Sequence, residues 1–142
     1  MRTRRQRRGG AAIEFALVAP VLLAVFGAII ELSLYINNFH LVSRAARDAT
    51  RVGSITIEGD DADGSLIEAN AVAHAISVLD ATGYTCSTVP TCEVSADWHQ
   101  DAVDGNMYVT TTIHSPYKGL TNLVPIVNDG LNARFTMMTQ QQ

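Results

Sequence analysis

The run from Phe15 to Ile30 contains no charged residue. With Ala11–Ala12–Ile13 and Leu32–Ile36 added, it reaches about 26 residues, more than the roughly 20 that cross a bilayer. That extended run encloses two carboxylates, Glu14 and Glu31. A chain with such a segment must give it to a membrane or bury it whole. A charge just inside it, as at Glu14, is costly in hydrocarbon and calls for a functional reason.

The flanks favour a membrane. Residues 2–8 hold five arginines (Arg2, Arg4, Arg5, Arg7, Arg8) and no acid. The rest of the chain holds the other five basic residues and all 14 acidic ones, so the net charge of −4 hides a sharp asymmetry. An acidic body gives no reason to expect nucleic-acid binding. A basic block against an apolar span is a positive-inside signal, placing the N-terminus in the cytoplasm and the body across the membrane. A cleaved secretory signal fits poorly. Its apolar region is about 7–15 residues and ends in small residues, whereas Glu31-Leu32-Ser33-Leu34-Tyr35 follows here.

The helix outruns the bilayer. Leu41, Ala45, Ala49 and Val52 continue at helical spacing, with Arg44, Arg47, Asp48 and Arg51 on other faces. A helix from Ala11 to Val52 would be about 60 Å long, with Gly53 as its expected stop and Pro20 as an expected bend or local opening. Ser54 to Gly64 reads as an acidic loop. Ser65 and Glu68 form a capping-box pattern opening a second helix, with Leu66, Ala69, Val72, Ala73, Ile76 and Leu79 as its core stripe and Gly83 as its end. Met107–His114 and Ala133–Met137 alternate as half-buried strands do. A weaker strand is expected through Cys92–Ser95, and Leu120–Val127 as a short helix or packed loop. The expected fold class is α+β: a long N-terminal transmembrane and amphipathic helix, a second helix, and a small antiparallel sheet of about three strands. The divisions are 1–9 as a basic leader, 10–53 as the long helix and 54–142 as an exported α+β domain.

Few residues point to chemistry. Cys86 and Cys92 lie close together in the exported part, where an oxidising compartment favours a disulfide. A loop this small would gain about 2 kcal/mol. Free thiols or half a metal site are the alternatives, but no nearby histidine supplies a zinc spacing. The acidic stretch Glu58–Asp63 suggests calcium, yet with Gly64 at the sixth EF-hand position Gly59 and Asn70 fall where acids are required. A solvated loop is the simpler reading. Asp97-Trp98-His99-Gln100-Asp101 is the densest polar cluster, but no nucleophile elbow, phosphate loop or zinc helix accompanies it. No catalytic residue, metal or cofactor is expected. Trp98 reads as a core or interface anchor. Glu31 reads as an interfacial carboxylate in water, the alternative being a contact with Arg44, Arg47 or a neighbouring subunit.

The N-terminal junction is more specific. A short basic leader ending in glycine, then small apolar residues, then a glutamate at the fifth position after the cut, resembles the processing site of type IV pilins. A cut between Gly9 and Gly10 makes Glu14 the fifth residue. A cut after Gly10 would make it the fourth. Gly9 offers a protease a side-chain-free scissile position. Glu14 then lies one turn from the new amine of Gly10, where an anion is favourable, and it could pair with the amine of a neighbouring subunit. The simpler alternative is a signal anchor with an interfacial glutamate. The wider stretch Arg8–Leu23, then Phe26-Gly27-Ala28-Ile29-Ile30-Glu31, resembles the TadE-like minor pilins, or pseudopilins, of the tight-adherence (Flp) pilus, as does Arg44–Gly53. This resemblance covers about the first 50 residues. It implies a type IV pilin-like fold, cleavage by a prepilin peptidase and anchorage by one span in the inner membrane. It also implies a role in initiating or capping pilus assembly, for adhesion and biofilm formation. The implied partners are the inner-membrane assembly platform, the major Flp pilin, other minor pilins and membrane lipid. The runner-up is a bitopic envelope protein whose exported domain binds a ligand or partner protein.

Overall fold

The computed structural model describes residues 7–55, 64–84, 92–117 and 130–139. Helix α1 spans Arg7–Ile55 and α2 spans Ser65–Ala81. Strands β1 (Glu93–Gln100), β2 (Met107–Ser115) and β3 (Leu131–Met138) form one antiparallel sheet in the order β1-β2-β3. This is the α+β layout expected from the sequence. The weak strand signal at Cys92–Ser95 belongs to a full eight-residue strand running to Gln100. The Leu120–Val127 segment, the glutamine tail and the acidic stretch 58–63 lie outside the described residues.

The two halves of α1 have opposite surroundings. From Ile13 to Phe39 its large apolar side chains are exposed. From Val42 onward it enters the core, where Val42, Ala45, Ala46 and Ala49 are fully buried with Ala75 and Leu79 of α2 and Ile113, Leu131 and Ala133 of the sheet. Alanines on both helices let the two backbones approach closely, and the larger side chains of the sheet fill the space beneath. Pro20 lies inside α1 without ending it.

Gly53 is not the helix stop. It is buried inside α1, where a Cβ would stand 3.0 Å from Val109 Cγ1 and 3.3 Å from Ala71 Cβ. The helix continues to Ile55, and the glycine instead allows close packing against α2 and β2. The expected capping box is also absent as such. Gly64, with φ 73°, stands at the N-cap and no side chain caps it. Glu68 turns outward from that role: its Oε1 accepts the backbone N–H of Trp98 at 3.0 Å. A Cβ on Gly64 would run into the Trp98 ring, so the indole seals the start of α2.

The core stripe of α2 differs from the expected one. Ile67, Ala71, Ala75 and Leu79 are buried, whereas Leu66, Ala69, Ala73 and Ile76 are exposed. The helix is apolar on two faces, so periodicity alone does not decide its rotation. The Trp98–Gly64 contact and the alanines of α1 do. Its end is as expected: the amides of Thr82, Gly83 and Tyr84 close onto Leu79 and Asp80.

In β2, Val109 and Ile113 are fully buried, matching the alternation, and Thr111 between them is buried too. The sheet edges are partly masked by the helices. Glu68 covers the outward amide of Trp98 on β1, and Thr50 Oγ1 lies 3.4 Å from the carbonyl of Phe135 on β3. Replacing Gly53 with valine should destabilise the domain by about 1–3 kcal/mol through overpacking. Urea denaturation of detergent-solubilised protein checks this, with Ile55→Val, at an exposed site, as the near-neutral control.

Candidate functional site

The expected processing and pairing residues lie at the exposed end of α1. Gly9, Gly10 and Glu14 all fall within the helix. Glu14 is exposed, and nothing lies within 4 Å of where a Cβ on Gly10 would be. Gly10 and Glu14 are four positions apart, a rise of about 6 Å along the axis. No hydrogen bond or ion pair to Glu14 occurs among the described residues. Its carboxylate is therefore available to a group outside this chain. The candidate membrane span begins at Gly10, and its most apolar window is entirely unburied by the rest of the protein.

Glu31 departs from expectation. It is 1% exposed and so does not stand in water. Nor can it reach Arg44 of its own chain, which lies 13 positions further along one unbroken helix, about 20 Å away along the axis. Its surroundings form the base of the domain. Tyr35, one turn on, meets Tyr117 edge to face with centroids 5.5 Å apart. Tyr84 Oη shares a hydrogen bond of 2.6 Å with Ser115 Oγ, and Cys92 Sγ lies 3.6 Å from the same oxygen. Burial, and next the charge of Glu31, push the Tyr117 hydroxyl above its usual pKa. The periodicity of α1 puts Glu31 and Tyr35 on the face of Val42. Nothing in the sequence pairs that face with Tyr117 or Ser115, which come from the far end of the chain.

The other sequence candidates do not assemble a reactive centre. His99 Nδ1 and Asp97 Oδ2 are 3.0 Å apart on β1, and His99 stacks on Tyr108. Asp101 and Asp104 instead order the β1–β2 turn. They accept the amides of Val103 and Asn106, and Tyr108 donates its hydroxyl to Asp104 at 2.6 Å. That bond holds Asp104 below the usual carboxylate range and raises Tyr108 above its own. His114 Nδ1 bonds Asn132 Oδ1 across the sheet. His74 lines an open cavity of about 280 Å³ between α1 and α2, with Asp48, Arg51, Val52 and Ile55. Arg47 lies 4.8 Å above the Phe135 ring, a packing role the sequence did not suggest. Among the described residues, no group of three or more His, Cys, Asp or Glu is placed to hold a metal ion. Cys86 lies outside the described residues.

These features define a class: an α+β domain built on the inner half of one long helix, whose outer half is long and apolar enough to cross a membrane. The family model described as TadE-like protein matches residues 9–51. The N-terminal segment of this chain, from the glycine doublet through the core-forming part of α1, is therefore similar to the TadE-like family. The match covers less than a third of the chain. No curated protein and no solved structure matches it.

The raised pKa of Tyr117 has a sign. Its folded value exceeds the unfolded one, so its contribution to stability is complete below the unfolded pKa near 10 and is lost as pH rises through the folded value. Tyr117→Phe should flatten the alkaline loss of stability. Glu31→Gln should lower the Tyr117 pKa only part of the way, because burial is the larger cause. Ultraviolet titration of tyrosinate checks both.

Proposed function

We propose that this protein is a minor pilin, or pseudopilin, of a tight-adherence pilus: a structural subunit that acts in initiating or capping assembly and has no catalysis of its own. The observation that carries the reading is the TadE-like match over residues 9–51, which contains both the Gly9–Gly10 doublet and Glu14. The exposure of Gly10 and Glu14 supports it. In this reading a prepilin peptidase cuts between Gly9 and Gly10 on the cytoplasmic side, where the arginine leader stays. The released amine and Glu14 then lie a turn apart in the hydrocarbon edge. Between subunits the same two groups pair and set the axial register. A buried pair of this kind tolerates desolvation because each charge answers the other.

The domain holding α2 and the sheet faces the extracytoplasmic side, with the inner-membrane assembly platform, the major Flp pilin and other minor pilins as partners. Adhesion and biofilm formation are the use of the assembled fibre. Cys86 and Cys92 form a disulfide in this oxidising compartment. The absence of a free cysteine among the described residues favours that pairing. It ties the chain ahead of β1 to the base of the domain beside Ser115 and Tyr84. A membrane-anchored envelope protein that merely displays its domain is the competing reading.

Two measurements separate the readings. Intact-mass analysis of membrane-extracted protein from a peptidase-positive host should give a chain beginning at Gly10, and a mass retaining the arginines counts for the plain anchor. Glu14→Ala should leave membrane insertion unchanged while reducing surface pili by about tenfold or more, as loss of one buried charge partner costs several kcal/mol. Normal piliation in that variant removes the pairing role.

A further inference from the structure

We propose that the α+β domain docks edge to edge with the domain of a second copy of this chain, the α1–β3 edge of one against the β1 edge of the other. α1 packs over β3 and β2, and α2 packs over β1. The strand order therefore places α1 and β1 toward opposite sides of the domain. The two sides carry opposite charge. From Glu31 onward, the lysines and arginines among the described residues are Arg44, Arg47 and Arg51 on α1 and Arg134 on β3. All four are exposed, and none makes an ion pair among the described residues. The three on α1 are spaced at i, i+3 and i+7, which gathers them within about 60° of the helix circumference. Asp48 is the one acid among them.

The other edge is acidic. Glu68 and Asp80 lie on α2, Glu93 and Asp97 on β1, and Asp101 and Asp104 in the turn that follows. No lysine or arginine lies in α2, β1 or that turn. Glu93 and Asp97 are exposed on an edge strand, with Ser95 exposed between them.

The opposed charges stand at matching heights. Gly53 of α1 meets Val109 of β2. Thr110, one residue nearer the base and about 3 Å lower, pairs with Asp97. Arg51, two residues before Gly53, is also about 3 Å lower. Glu93 pairs with His114, about 16 Å below Val109, and Arg44 is about 14 Å below Gly53. Two copies held by the same span stand parallel and at equal depth. Arg44 and Arg51 of one then stand level with Glu93 and Asp97 of the other. Lipid is not the occupant: counting about 20 residues from Gly10, the hydrocarbon ends near Ile30, and Arg44 lies about 20 Å beyond it, past the headgroups. The second copy fits because one chain carries both halves of the contact. A lone exposed ion pair contributes little, but several lie along each edge, and confinement to one membrane raises the partner's effective concentration. Contact between unlike edges is heterologous, so each copy keeps one edge open for the next.

The proposal rests on α1 spanning a bilayer and not on leader cleavage or fibre assembly, so either can fail without the other. A photo-crosslinking amino acid at Ser95 of the full chain, expressed in bacterial membranes that lack pilus machinery, should give a product of twice the chain mass. Arg44→Glu with Arg51→Glu, or Glu93→Arg with Asp97→Arg, should each lower its yield about fivefold while the domain keeps its protease resistance. The milder Arg44→Gln with Arg51→Gln should lower it about twofold. Co-expressing the two charge-reversed chains, each with its own tag, should restore a mixed product, because both contacts again join unlike edges. Salt at about 1 M, which shortens the Debye length to about 3 Å, should weaken the product of the unaltered chain. No product, a product whose mass contains a different protein, a yield indifferent to charge reversal or salt, or reversed chains that fail to pair with each other would each overturn the proposal.

Discussion

One helix must satisfy two solvents, and the rest of the molecule follows from how it does so. From Phe15 to Ile30 the exposed half of α1 is apolar on all sides, which a bilayer or another helix can accept. The buried half offers a narrow face of small residues, Val42, Ala45, Ala46 and Ala49, that draws α2 and the sheet close. The helix has no break between the halves. The domain therefore has no linker of its own and is carried rigidly on the anchor. Movement of the anchor within a membrane is movement of the domain.

The transition between the halves falls at Glu31. A carboxylate at that depth would be a liability if it faced lipid. It is instead turned to the domain face and enclosed at the base of the domain, where Tyr35 and Tyr117 pack edge to face. Tyrosines suit such a place, with an apolar ring for the protein side and a hydroxyl for the wet side. The two glutamates of the anchor thus have unlike fates. Glu31 is absorbed by its own chain, and Glu14 is left facing outward. In the proposed function, that contrast leaves Glu14 as the contact for a second molecule.

Opposite the base, the domain is closed by contacts that need particular small residues. Trp98 covers Gly64 at the start of α2, and Gly53 lets α1 meet Ala71 and Val109. Glu68, expected to serve its own helix, instead holds the edge of β1. These are tertiary uses of residues whose local reading was different. At the two glycines burial of apolar surface outweighs the smaller gain of a helix cap or stop, and Glu68 exchanges its cap for a hydrogen bond to the Trp98 amide.

Much was legible from residue order alone: the long apolar run, the element sequence, the end of α2 near Gly83, the inward Val109 and Ile113, and the TadE-like resemblance of residues 9–51. These depend on interactions within a few residues, or between a segment and a uniform solvent, and so are written in periodicity and charge. The rotation of α2, the role of Gly53, the enclosure of Glu31 and the Arg47–Phe135 contact depend on which distant segment packs where. A helix apolar on two faces, such as α2, carries no local mark of which side will be buried, and only its neighbours in space choose. Glu31 likewise has an identical sequence context whether it faces lipid, water or protein, and its burial depends on a domain base to which Tyr117, 86 positions further along the chain, belongs.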